Sequence, residues 1–308
     1  MSTSDLWLLA QEAWDGLSAV YGPVMARAAA EEAGLAEGTY FGWMLAAPDF
    51  EPDPISARRL AGRAPYTSRT LNDVRLADNA QQGLLRQAGQ DEYYLTEKGR
   101  VAAKRIFEAA YHSMVPLQPL PAAALSRLAD LLRRIVEASI AAPEPPGKYC
   151  LLLSRRIVPS DAAPPLAWID QYLSDLNFYR DDAHMASWKP YGVGGAAWEA
   201  FTYLWRDEAR TLAALCDGLA FRGHARQDYA DALEDLTARG WIAAEGAGGS
   251  ANGEKGYRLT DAGRAVREDA ERTTDTYFFA PWACLEAGEL GELRALLVGL
   301  RDGLPRSG

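Results

Sequence analysis

The chain has 308 residues, 48% of them apolar, and a formal net charge of −10. That length suggests two domains of about 150 residues, each able to bury its own core, while the acidic balance counts against long-range, nonspecific attraction to nucleic-acid phosphates. The three cysteines, Cys150, Cys216 and Cys284, are too few and too widely spaced for a disulfide framework or a thiolate zinc site. The first residues lack the chemistry of a signal peptide, and no apolar run approaches the ~20 residues of a membrane helix. The expectation is a cytoplasmic protein with no membrane partner.

In chain order, Leu6, Leu9, Ala10, Ala13, Leu17 and Val20 recur at helical spacing and predict a long helix over 5–33, ending near Gly34. Tyr40, Trp43 and Met44 mark a second helix, stopped by the Pro-rich stretch 49–54. Asp53 and Pro54 suit the cap and first position of a short helix reaching about Gly62. Thr67 or Ser68 caps another, running to about Gln82 with Leu71, Val74 and Leu76 toward a core. Two short helices joined by a tight turn are a helix-turn-helix. Residues 84–95, turning at Gln87, Ala88, Gly89 and Gln90, read as a small hairpin, followed by helices over 96–114 and 121–141.

The string Leu95-Thr96-Glu97-Lys98-Gly99-Arg100 then returns as Leu259-Thr260-Asp261-Ala262-Gly263-Arg264, offset by 164 residues, so the chain reads as a duplication. The second copy repeats the order of elements: helices over 165–188, 195–206, 207–220 and 226–239, a longer hairpin over 240–259 with a glycine-rich tip at 246–253, and helices over 260–279 and 290–304. The expected domains are 1–141 and 165–308, with a proline-rich linker over 142–164. Within the linker, residues 149–153 (Tyr-Cys-Leu-Leu-Leu) are too apolar to stay in water; they are expected to pack between the copies, a short strand being one form they can take.

Two helices, a helix-turn-helix, a hairpin wing, and Leu-Thr-x-x-Gly-Arg opening a long helix: this order resembles the MarR family of winged-helix regulators, and both copies carry it. Two copies in one chain, with Asp182-Ala183-His184, Trp188, Trp198 and Ala280-Pro281-Trp282, are also similar to a family of tandem winged-helix proteins. The resemblance implies a mainly α chain of two tandem winged helix-turn-helix domains, each with a small β-hairpin wing, packed as an internal pseudo-dimer. It also implies a transcriptional regulator that responds to a small aromatic or acidic ligand, with double-stranded DNA as partner, working as a monomeric pseudo-dimer or as a homodimer.

The residues divide the copies. Between positions 54 and 75, Arg58, Arg59, Arg63, Arg69 and Arg75 face only Asp73, a local balance of +4. Thr67, Ser68, Arg69 and Asn72 open the candidate recognition helix, where Arg pairs with guanine and Asn with adenine, and Arg75 follows toward a phosphate. The equivalent helix of the second copy sets Asp228, Asp231, Glu234 and Asp235 against Arg226 and Arg239, a balance of −2 that phosphates would repel.

The alternative is a scaffold that has lost DNA binding and works as a small-molecule binder or enzyme through a cleft between the copies. Arg180, His184 and Trp188, spaced i, i+4, i+8, share a helix face, and with Asp182 and Tyr203 they are the candidates for holding a flat, aromatic or acidic ligand. An enzyme would have to use a pair such as Asp182 and His184 for proton transfer; no phosphate loop, Ser elbow or metal motif is present, so no cofactor and no metal are expected.

Overall fold

The computed structural model describes residues 3–34, 46–245 and 255–305. The helices are α1 (Thr3–Ala33), α2 (Ala57–Arg63), α3 (Arg69–Gln81), α4 (Glu97–Met114), α5 (Ala122–Ala141), α6 (Tyr149–Ser154), α7 (Pro165–Trp188), α8 (Gly195–Trp205), α9 (Leu212–Gly218), α10 (Arg226–Ala238), α11 (Asp261–Phe279) and α12 (Ala287–Gly303). Two antiparallel hairpins stand among them. Strands β1 (Leu85–Gln87) and β2 (Tyr93–Leu95) pair Leu85 with Leu95, and β3 (Ile242–Glu245) and β4 (Gly256–Leu259) pair Ile242 with Leu259. The helix expected around Tyr40, Trp43 and Met44 and the glycine-rich tip at 246–253 lie outside the described residues.

The repeated hexapeptide builds the same joint twice. Thr96 caps α4: its Oγ accepts the Gly99 N–H at 3.0 Å and donates to the Gly83 carbonyl at 2.7 Å, while its own N–H reaches the Leu84 carbonyl at 3.0 Å. Thr260 does the same for α11, accepting from Gly263 at 3.0 Å, donating to Gly240 at 2.7 Å and bonding Trp241 at 3.0 Å. Each hairpin also gains a bridge from a preceding segment, Ile55 to Tyr93 in one and Thr211 to Gly256 in the other. The first bridge corrects one expected boundary. Ile55 is held extended against Tyr93, so α2 cannot start at Pro54; it starts at Ala57, capped by Ser56 rather than Asp53, the Ser56 Oγ accepting the Arg59 N–H at 3.2 Å.

Compactness divides the chain differently from the repeat boundaries at 141 and 165. One unit comprises Met1–Ile55, Arg75–Ala183 and Asp275–Gly308, and the other Ser56–Val74 and His184–Thr274. In the first, α1 packs along α4 and α12, and α5 packs against α12, around a core that includes Leu17, Leu128, Leu132, Ile135, Ile169, Leu176, Phe278 and Leu297. In the second, α10 packs on α8 and α9 around Trp198, Phe201, Leu215, Tyr229, Leu233 and Leu236.

Residues 149–153 fold as helix α6 and not as a strand. The reason lies on α7, where Asp182 accepts the Cys150 and Leu151 N–H groups at 2.9 Å each and so satisfies the start of α6. Two turns earlier, the fully buried Asp175 takes the Ser154 hydroxyl at 2.6 Å and the Arg155 guanidinium at 2.9 Å at the other end. The apolar side chains of Cys150, Leu151 and Leu153 are then free to bury.

Also on α7, Asp170 accepts the Trp14 indole N–H at 2.9 Å, and burial pushes its carboxyl up to about 6 from 3.8. A folded-state value above the unfolded one means that the folded chain keeps this proton longer. Stability from this group is therefore greatest below pH 3.8 and declines as pH rises toward about 6. At roughly 1.4 kcal/mol per pH unit, the loss is about 3 kcal/mol. Asp170→Asn is expected to remove that slope and to unfold at higher urea than wild type at pH 7, with little difference at pH 3.5; equal midpoints at both pH values would refute it.

Candidate functional site

The recognition-helix candidates do not form one exposed face. Arg58 and Arg69 are exposed, and Arg69 lies 3.5 Å from Asp73. Arg59 and Arg75 are half-buried. The remaining three are buried, Thr67 at 8%, Ser68 at 7% and Asn72 at 0% exposure. Ser68 is spent as the cap of α3, its Oγ accepting the Leu71 N–H at 3.1 Å, and its own N–H donates to the Arg222 carbonyl at 2.9 Å. The Asn72 side-chain amide has no hydrogen-bond partner among the described residues. Thr67, Ser68 and Asn72 are thus corrected from base-reading positions to packing positions. Val74, expected toward a core, is instead 49% exposed.

What covers the start of α3 is the rest of its own compact unit. The Tyr66 carbonyl accepts His224 Nε2–H at 2.8 Å, the Tyr66 hydroxyl accepts the Trp188 indole N–H at 3.1 Å, and the Arg222 guanidinium lies 5.5 Å from the Tyr66 ring centre. Two glycines permit the approach. A Cβ on Gly195 would stand 2.1 Å from the Pro65 carbonyl oxygen, and one on Gly223, whose φ is +69°, would stand 2.7 Å from Leu71 Cβ.

Helix α10 presents an acidic surface. Asp228, Asp231, Glu234 and Asp235 are exposed, whereas Arg239 is tied to Asp235 at 2.9 Å and to the Tyr191 and Gly192 carbonyls at 2.9 and 3.0 Å. A phosphate approaching this helix would meet a surface on which carboxylates outnumber cations.

The five expected ligand residues are divided between the two compact units. In the first unit, Arg180 pairs with Asp275 at 3.0 Å over the Phe278 ring, and Asp182 caps α6. In the second, Trp188 is buried and stacks on Trp198 at 5.6 Å, and the Tyr203 ring covers Gly218. His184 Nδ1 stands 3.5 Å from Thr274 Oγ. Asp182 and His184 fall in different compact units, and each has a structural partner.

Two open features emerge that the sequence reading did not single out. In the first unit a cavity of about 480 Å³ has apolar walls, chiefly Leu95, Phe107 and Tyr111 with Ile157 and Val158 opposite. At its mouth Arg100 is held by Glu51 at 2.8 Å, while Lys104 stands 3.8 Å from Glu108 and is largely exposed. Burial pushes the Tyr111 hydroxyl up to about 12, so it stays protonated. The signal was the i, i+4, i+8 spacing of Ala103, Phe107 and Tyr111 along α4, which resembles any core face. In the second unit Arg267 is 1% exposed, its guanidinium 4.6 Å from the Trp198 ring centre and 4.8 Å from that of Trp205. Its Nη2 bonds Glu271 at 2.8 Å, but Nε and Nη1 have no hydrogen-bond partner among the described residues. Desolvation lowers its proton affinity, although an arginine remains charged.

Among the described residues no group of three or more His, Cys, Asp or Glu side chains could hold a metal ion, and no helix is long and apolar enough to cross a membrane. Residues 158–308 match a helix-turn-helix family, a coarse indication of a DNA-binding regulator. Neither the curated proteins nor the solved structures provide a match to the chain.

Proposed function

We propose that this protein is a small-molecule binder built on two winged helix-turn-helix copies, in which reading of the major groove has been given up. The observation that carries this is the burial of Thr67, Ser68 and Asn72 under Tyr66, Arg222 and Gly223. A recognition helix reads bases through side chains at its N-terminal end, and of the four candidates there Thr67, Ser68 and Asn72 are withdrawn into the fold while Arg69 stays exposed. The acidic surface of α10 supports the same conclusion for the other copy. The ligand site is the cavity walled by Phe107 and Tyr111, whose volume falls in the ordinary range for small-molecule pockets. Its apolar walls and the Lys104 ammonium at its mouth suit an aromatic or apolar acid.

One specific observation favours a DNA-binding regulator instead: Arg58 and Arg69 remain exposed on a stretch of net positive charge, within a chain whose second half matches a helix-turn-helix family. Fluorescence anisotropy with a labelled mixed-sequence 30-base-pair duplex separates the two. Small-molecule binding alone predicts no association tighter than about 10 μM at 25 mM salt, together with calorimetric binding of 2-naphthoate that weakens at least fivefold in Phe107→Ala. Tight, salt-sensitive DNA binding that Arg69→Ala weakens would replace the first reading by the second.

A further inference from the structure

Within the second compact unit, the end of α8, the turn after it, the β3–β4 hairpin and the first turn of α11 enclose a cleft of about 350 Å³. Trp205 and Tyr257 supply its aromatic surface. Its frame is held from behind, because the Tyr257 N–H donates to the Arg210 carbonyl at 2.8 Å beside the Thr211–Gly256 bridge.

The charges along this cleft do not cancel. Asp207, held at φ 61°, is bound bidentately by Arg210, and Glu245 also faces the Arg210 charge. Those three groups carry a net charge of −1, and Arg258 on β4 and Arg264 on α11, neither with an ion-pair partner among the described residues, bring the lining to +1. Two exposed cations lining a cleft beside aromatic rings attract an anion.

A second, independent observation concerns Trp205. Against its ring lies the Arg267 guanidinium, a side chain 1% exposed whose Nε and Nη1 have no hydrogen-bond partner among the described residues. A buried cation on one aromatic surface draws electron density from it and favours an electron-rich, negatively charged partner stacking on that ring.

We propose that this cleft is a binding site for a planar organic dianion, an aromatic ring carrying carboxylates that Arg258 and Arg264 pair while the ring stacks on Trp205. The site is separate from the cavity in the first unit and does not depend on the reading given to it.

Isothermal titration calorimetry of the full chain with naphthalene-2,6-dicarboxylate tests it, using the uncharged 2,6-dicarboxamide as comparison. A site whose affinity Phe107→Ala leaves unchanged is expected, at least tenfold weaker for the diamide, at least tenfold weaker in the double variant Arg258→Ala/Arg264→Ala, and several-fold weaker in Trp205→Leu. Arg294→Ala, on α12, is the control for general charge and should bind as wild type does. Both cleft arginines are exposed, so the double variant should keep the wild-type unfolding midpoint, which circular dichroism checks. Three outcomes overturn the proposal: no heat up to 5 mM dianion, equal binding of dianion and diamide, or unchanged affinity in the folded double variant. Binding of duplex DNA that the double variant abolishes, without dianion binding, would make the pair phosphate contacts instead.

Discussion

Trp198→Ala is expected to destabilise the protein by about 4 kcal/mol in urea unfolding, at the upper end of large-to-small core substitutions. Trp198 is fully buried, with Trp188 stacked at 5.6 Å and 13°, Tyr191 stacked at 6.0 Å and 9°, and the edge of Phe201 at 5.7 Å. Removing the indole empties the centre of that stack. It also strips one aromatic ring from the buried Arg267 guanidinium, leaving a charge with less compensation than before. Because Trp188 also holds the Tyr66 hydroxyl, the loosened stack should speed hydrogen exchange at Thr67 and Ser68 more than in the core of the other unit. Trp198→Phe provides the contrast. The indole N–H has no hydrogen-bond partner among the described residues, so phenylalanine forfeits no polar contact there and should cost less than half as much. A Trp198→Ala loss under 1 kcal/mol, or equal losses in the two variants, would contradict this account.

Gly263→Ala carries the second large effect, a loss of about 3 kcal/mol, the high end of overpacking costs. Helix propensity predicts the reverse, since alanine is better than glycine inside a helix by about 1 kcal/mol. Sterics decide the sign. An added Cβ would lie 2.0 Å from the Trp241 carbonyl oxygen, backbone that cannot withdraw without breaking the Thr260 bonds to the same residue. Gly99→Ala should behave alike, its Cβ falling 2.2 Å from the Leu84 carbonyl oxygen. Gly291 on α12, with nothing within 4 Å, is the control; Gly291→Ala should be neutral or stabilising by up to about 1 kcal/mol. Calorimetric midpoints of the three variants check the pattern, and a Gly263→Ala protein as stable as wild type would refute the close-packed joint.

These two glycines also show why part of the fold was legible. The string Leu-Thr-x-x-Gly-Arg specifies its own local structure: threonine caps, glycine admits the strand backbone, and leucine ends the hairpin. None of that needs distant partners, so both hairpin joints could be located from sequence alone. Long helices with regular apolar spacing, α1, α4, α5 and α7, were legible for the same reason. Short segments were not. Whether 149–153 became strand or helix depended on Asp175 and Asp182, more than twenty residues downstream, and the start of α2 depended on Ile55 pairing with Tyr93. The candidate site was harder still. Burial of Thr67, Ser68 and Asn72 follows from Gly195, Gly223 and Arg222 lying against the start of α3, and no spacing near position 68 encodes that.

Sequence by itself determined the helical character, the hairpin joints and the contrast between the basic stretch over 54–75 and the acidic α10, because each is a property of a few neighbouring residues. Which side chains stay in water was decided only by tertiary structure, because burial is set by whatever packs on a surface from elsewhere in the chain. The arginines and asparagine that look alike in sequence around α3 therefore part company once folded: Arg58 and Arg69 remain at the surface, and Asn72 is inside.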